Sequence, residues 1–111
     1  MDIKQLVKDA HENAKAKGWH DEDRTFGELI ALCHAELSEA LEDFRDGREV
    51  AVVYGDVVCP RKPFGIPIEL ADVVIRIADM CGKYGIDLDE AIKIKMEYNK
   101  TRPMRHGGKV L

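Results

Sequence analysis

The stretch from Pro67 to about Tyr84 constrains the fold more than any other part of the chain. Ile68, Leu70, Ala71, Val73, Val74, Ile75, Ile77, Ala78, Met80 and Cys81 spread apolar groups nearly all the way round a helix. A helix of that profile has no free face, so it lies in a core or is shared with a partner subunit. Pro67 suits its first turn and Gly85 its end. Glu69, Asp72, Arg76 and Asp79 form its only polar stripe, and at 100° per residue they fall within roughly a quarter-turn. Carboxylates on so apolar a helix are costly unless they are paired or bind a metal.

Three further helical segments surround this one. Asp2 to Lys17 carries Ile3, Leu6, Val7, Ala10 and Ala14 at helical spacing, with Asp2 as N-cap and Gly18 as terminator. Thr25 with Glu28 forms a capping box, and Phe26, Leu29, Ile30, Leu32, Cys33, Leu37, Ala40, Leu41 and Phe44 continue as an amphipathic helix to Gly47. Asp87 with Glu90 opens a last helix that runs to about Lys100, before Pro103. Between the second and third helices, residues 48–65 form a long connection. Val50 to Tyr54 and Val57 to Cys59 flank Gly55-Asp56 as a possible hairpin, whereas Pro60, Pro63 and Gly65 oppose regular structure. Residues 104–111 read as a mobile tail or one ordered by binding. The pattern is all-α in a single domain, 1–111, with no internal repeat.

Composition narrows the function classes. A formal charge of −4 argues against a surface that coats nucleic acid. No stretch approaches the roughly 20 apolar residues of a membrane span, and no N-terminal run resembles a signal peptide. The three cysteines, Cys33, Cys59 and Cys81, lack metal-ligand spacing and fit reduced thiols, so a cytoplasmic protein is expected.

A second acidic pair, Glu36 with Glu39, lies on the second helix at the same i,i+3 spacing as Glu69 with Asp72. Such spacing sets both side chains on one face. Two pairs closing on each other offer about four oxygen ligands, a set suited to a hard divalent cation, with magnesium the natural occupant. On the last helix Lys95, Asn99 and Arg102 share a side, and two cations with an amide suit phosphate. Each element also has a bland reading. Glu-x-x-Glu is commonly a solvated face, Asp72 with Arg76 is equally an i,i+4 ion pair, and the basic stripe alone is an ordinary exposed face. Asp43 and Asp79 read as supporting or surface groups. His11, His20 and His34 have no partner spacing and read as surface or packing residues.

Three segments together carry a resemblance. Ala35-Glu36-Leu37-Ser38-Glu39-Ala40, Gly65-Ile66-Pro67-Ile68-Glu69-Leu70-Ala71-Asp72-Val73-Val74 and Lys95-Met96-Glu97-Tyr98-Asn99-Lys100-Thr101-Arg102-Pro103, with His106-Gly107-Gly108-Lys109 after them, resemble the MazG-like nucleoside triphosphate pyrophosphohydrolases over residues 19–109. The resemblance implies a four-to-five-helix bundle completed by oligomerisation, as a homodimer or tetramer. It implies hydrolysis of a nucleoside triphosphate to the monophosphate and pyrophosphate, a house-cleaning role in the nucleotide pool. Glu36, Glu39, Glu69 and Asp72 would hold Mg2+, or Mn2+ as a substitute, and Lys95, Asn99 and Arg102 would meet the phosphates. Trp19 is the first candidate for a stacking surface under the base, ahead of Phe44 and Tyr98. The linker between the acidic motifs, residues 40–68, is long for the family, so its Val- and Pro-rich part would reshape the pocket mouth.

Three other readings stand beside this one. A phosphoribosyl-ATP pyrophosphohydrolase has a similar scaffold. A non-catalytic helical dimerisation module would use the third helix as a seam. A ferritin-like di-iron bundle calls for Glu-x-x-His, and no histidine follows any of the four acids at i+3.

Overall fold

In the computed structural model, residues 1–55 and 62–111 are described. The helices are α1 (Ile3–Ala16), α2 (Phe26–Arg45), α3 (Ile66–Tyr84), α4 (Leu88–Thr101) and the short α5 (Arg105–Gly108). None of the helices is long and apolar enough to cross a membrane, among the described residues.

The caps read from the sequence set the helix limits. Asp2 accepts from the Gln5 N–H, Thr25 Oγ1 from that of Glu28 and Asp87 from that of Glu90. Gly85 ends α3 in the left-handed region at φ 65°, a conformation glycine reaches without a Cβ penalty. Within the residues expected to form a mobile tail, α5 is a tight turn with positive φ at Arg105, His106, Gly107 and Gly108 rather than a regular α-helix.

The connection after α2 differs from expectation. Tyr54–Gly55 (β1) pairs antiparallel with Pro63–Phe64 (β2), so the partner strand includes a proline expected to oppose regular structure. A two-residue ladder has edges on both sides, and an edge tolerates the missing proline N–H. The Gly55-Asp56 turn and the strand expected at Val57 to Cys59 lie outside the described residues. Arg48 closes this corner. Its guanidinium lies 4.8 Å from the Phe64 ring and 5.5 Å from that of Tyr54, and its Nε donates to Asp43 at 3.2 Å.

The apolar α3 is central, as its profile requires, and it packs against both α1 and α2. The core along it is thin. Ala14, Ala40, Ile66, Ala78, Met80 and Cys81 are its buried apolar residues, and no large side chain is fully enclosed, among the described residues. On α2 the covered face runs through Leu29, Leu32, Cys33, Glu36 and Ala40. Leu37, Leu41 and Phe44, expected within the amphipathic core, are half exposed. The apolar arc of α2 is wider than the surface α3 covers. Helix α4 packs chiefly on α1, and every residue from 91 to 100 is exposed.

Candidate active site

The covered faces of α2 and α3 bring acids together across the helix pair. Glu36, Glu69 and Asp72 each present a carboxylate oxygen within 4.8 Å of the others. Glu39 stands one turn along α2, on the exposed side, close enough to the Glu69 carboxyl to help raise it. Three of the four expected acids therefore converge, and the fourth adjoins them.

Electrostatics at this point are adverse to the bare protein. Burial pushes the Glu69 carboxyl up to about 7, and the nearby Glu39 and the charges of Asp72 and Glu36 push the same way. Asp72 is also raised, by burial first and then by Glu36, with Arg76 opposing. Oε2 of Glu69 is buried with no hydrogen-bond partner among the described residues. A buried, unpartnered carboxylate oxygen facing other carboxylates is the environment that a divalent cation relieves. The donor set is all oxygen, which fits a hard ion such as magnesium.

Arg76 has a different partner from the one its spacing suggests. Its Nε donates to Glu36 Oε1 at 2.8 Å across the helix pair, in place of the i,i+4 pair with Asp72. The same guanidinium lies 5.9 Å from the centre of the Trp19 ring, and that of Arg24 lies 5.6 Å from it. Trp19 is 53% exposed and forms one wall of a cleft of about 230 Å³ that also meets Glu36, Asp72, Arg76, Asp79 and His20. The cleft thus runs from the acids to an aromatic plane, with two guanidiniums along it.

The basic stripe is elsewhere in a single chain. None of Lys95, Asn99 and Arg102 lines the cleft. Lys95 and Arg102 lie 5.1 and 5.5 Å from the ring of Tyr98, and Arg102 donates to the His106 carbonyl at 3.5 Å. Phe44 and Tyr98 are half exposed away from the cleft.

His11 and His20, expected as surface or packing residues, are part of a cluster. His11 Nδ1 and His20 Nε2 lie 2.9 and 2.7 Å from the same oxygen, Oδ1 of Asp79. No local spacing announces this, because the partners are 68 and 59 residues apart. Arg24 was equally silent in the sequence. It reaches the cleft because Lys83 Nζ donates to its carbonyl at 3.2 Å and pins the connection between α1 and α2 to α3. No family model, curated protein or solved structure matches this chain.

Proposed function

We propose that the chain is a magnesium-dependent nucleoside triphosphate pyrophosphohydrolase that releases pyrophosphate and a nucleoside monophosphate. The observation that carries this reading is the convergence of Glu36, Glu69 and Asp72 around a buried, unpartnered Glu69 oxygen. The sequence resemblance to MazG-like enzymes supplies the bond that is cut, and the adjoining cleft supports a nucleotide as the ligand.

Magnesium held there, or manganese in its place, supplies neutralising charge for phosphate oxygens and acidifies water. Glu36, Glu69 and Asp72 would hold the ion, with Glu39, beside Glu69, as the fourth ligand of the set. Arg76 pairs with Glu36 and lines the cleft, where its guanidinium would favour the anionic oxygens of a phosphate. Trp19, between Arg24 and Arg76, offers a plane on which a base can stack. Half-exposed apolar faces on α2 and α4 support a homo-oligomer, dimer or tetramer. In that assembly the Lys95, Asn99 and Arg102 stripe would meet the acids of a second copy. The compartment consistent with the free thiols is the cytoplasm.

The test is magnesium-dependent pyrophosphate release across deoxy- and ribonucleoside triphosphates, with phosphoribosyl-ATP included. Glu69→Gln is expected to lower release by at least about a thousandfold, the scale of losing a principal electrostatic group, while circular dichroism stays unchanged. Turnover of phosphoribosyl-ATP alone would move the substrate to that class. Equal turnover by Glu69→Gln and parent would remove the site.

A further inference from the structure

The cluster of His11, His20 and Asp79 is separate from the acidic site and is built from three parts of the chain. His11 comes from α1, His20 from the connection after it and Asp79 from α3. Their three ligand atoms lie within 4.8 Å of one another, and the side chains are only 15–20% exposed. The imidazole rings meet edge to face at 5.0 Å, so both nitrogens approach one carboxylate oxygen from different directions.

The backbone is shaped to hold this arrangement. A Cβ at Gly82 would lie 2.5 Å from His11 Cβ and 2.7 Å from its Cγ. Only glycine at that position lets α1 approach α3 closely enough to set His11 against the turn that carries Asp79. The thin core gives such a clamp a purpose, since small domains commonly add a metal or other staple to insufficient hydrophobic burial.

We propose that His11 Nδ1, His20 Nε2 and Asp79 Oδ1 bind a zinc-class cation. Two imidazoles and one carboxylate form a borderline donor set, which favours zinc over magnesium, whereas the all-oxygen cluster on α2 and α3 has the opposite preference. Zinc bonds of about 2.0–2.1 Å place tetrahedral ligands about 3.3 Å apart. The observed separations of 2.7 and 2.9 Å need to open by only about half an ångström to meet that edge. A ring nitrogen that carries the proton shared with Asp79 would pass it to the other nitrogen of its ring or to solvent, leaving a lone pair for the ion. His20 and Asp79 both line the cleft, so an ion held there would border it, and water or a small ligand could reach it from that side. The ion would join α1, α3 and the segment carrying Trp19.

Equilibrium dialysis of the full chain against zinc alone, with metal analysis, tests this directly. The single tryptophan, Trp19, next to His20, supplies a fluorescence titration of the same event. The expected result is one zinc per chain, retained in Glu69→Gln, with a raised melting temperature. His20→Gln and Asp79→Asn should each weaken binding by more than about tenfold and lose the zinc-induced thermal shift. His20 lies outside the helices, so His20→Gln gives an answer even if Asp79→Asn does not fold. The proposal is overturned if the parent takes up no zinc at micromolar concentrations, if His20→Gln binds as tightly as the parent, or if Glu69→Gln alone abolishes uptake. The first outcome would leave a hydrogen-bonded triad, and the last would put the ion in the acidic cluster. Pyrophosphate release is not among these readouts, so the enzyme assignment stands or falls separately.

Discussion

Glu69 shows how a single carboxyl reports on the site around it. Its folded value near 7 stands above the ordinary 4.5, so the native state holds a proton that the unfolded chain has released between those pH values. The sign follows from linkage: stability falls with pH wherever the native state binds more protons. The contribution of Glu69 is fully present below pH 4.5 and is lost as pH rises through about 7. Asp72, also raised, acts in the same direction. The metal-free protein is therefore expected to melt at a lower temperature at pH 8 than at pH 5.5. Glu69→Gln should flatten that slope, and saturating magnesium should offset it by favouring the ionised carboxyls. Scanning calorimetry in chelator and in magnesium measures both. Glu69 and Asp72 were legible in the sequence because their helix leaves polar groups nowhere to hide. His11, His20 and Asp79 were not, because their meeting depends on how α1 crosses α3.

That crossing belongs to the scale of elements, and Gly82 governs it. Replacing a helical glycine by alanine ordinarily gains up to about 1 kcal/mol of helix propensity. At Gly82 the new methyl would collide with His11, and overpacking of this kind costs about 1–3 kcal/mol. Gly82→Ala is thus expected to destabilise despite the better helix former. Gly27 supplies the contrast, since its nearest atom to an added Cβ is Thr25 Oγ1 at 3.9 Å. Gly27→Ala should stabilise by about 0.5 kcal/mol. Urea denaturation of both variants decides the matter, and a stabilised Gly82→Ala would mean that α1 and α3 are not this close. Helix ends were readable because a cap is local: Asp2, Thr25, Asp87 and Gly85 each act within a few residues. The pairing of Tyr54 with Phe64 was not, because it joins residues across a long connection with neither alternation nor a run of strand formers at Pro63 and Phe64.

At the scale of the whole molecule, large apolar side chains stay exposed on three helices. Leu37, Leu41 and Phe44 share a face of α2, Leu70 and Val74 a face of α3, and all are 45–59% exposed. On α4, Ile94 and Met96 are 62% and 59% exposed, on a helix that buries nothing. Apolar faces on α2 and α3 and exposed apolar residues on α4 support a homo-oligomer, in which a second copy of the chain would cover them. Light scattering is expected to give a dimer or tetramer, and Ile94→Asp with Met96→Asp a helical monomer. A parent that stays monomeric at high micromolar concentration would end this reading. Such an assembly would also bring the stripe of Lys95, Asn99 and Arg102, none of which lines the cleft of its own chain, to acids it does not otherwise reach. Mixing an inactive Lys95→Ala chain with an inactive Glu69→Gln chain tests that arrangement. In a randomly mixed dimer half the molecules are heterodimers, and each of those carries one site with intact acids and an intact stripe. About a quarter of the parent pyrophosphate release is therefore expected to return. No recovery after verified subunit exchange would place the stripe and the acids of each site on one chain, and α4 would then have to move toward α2 and α3 when substrate binds.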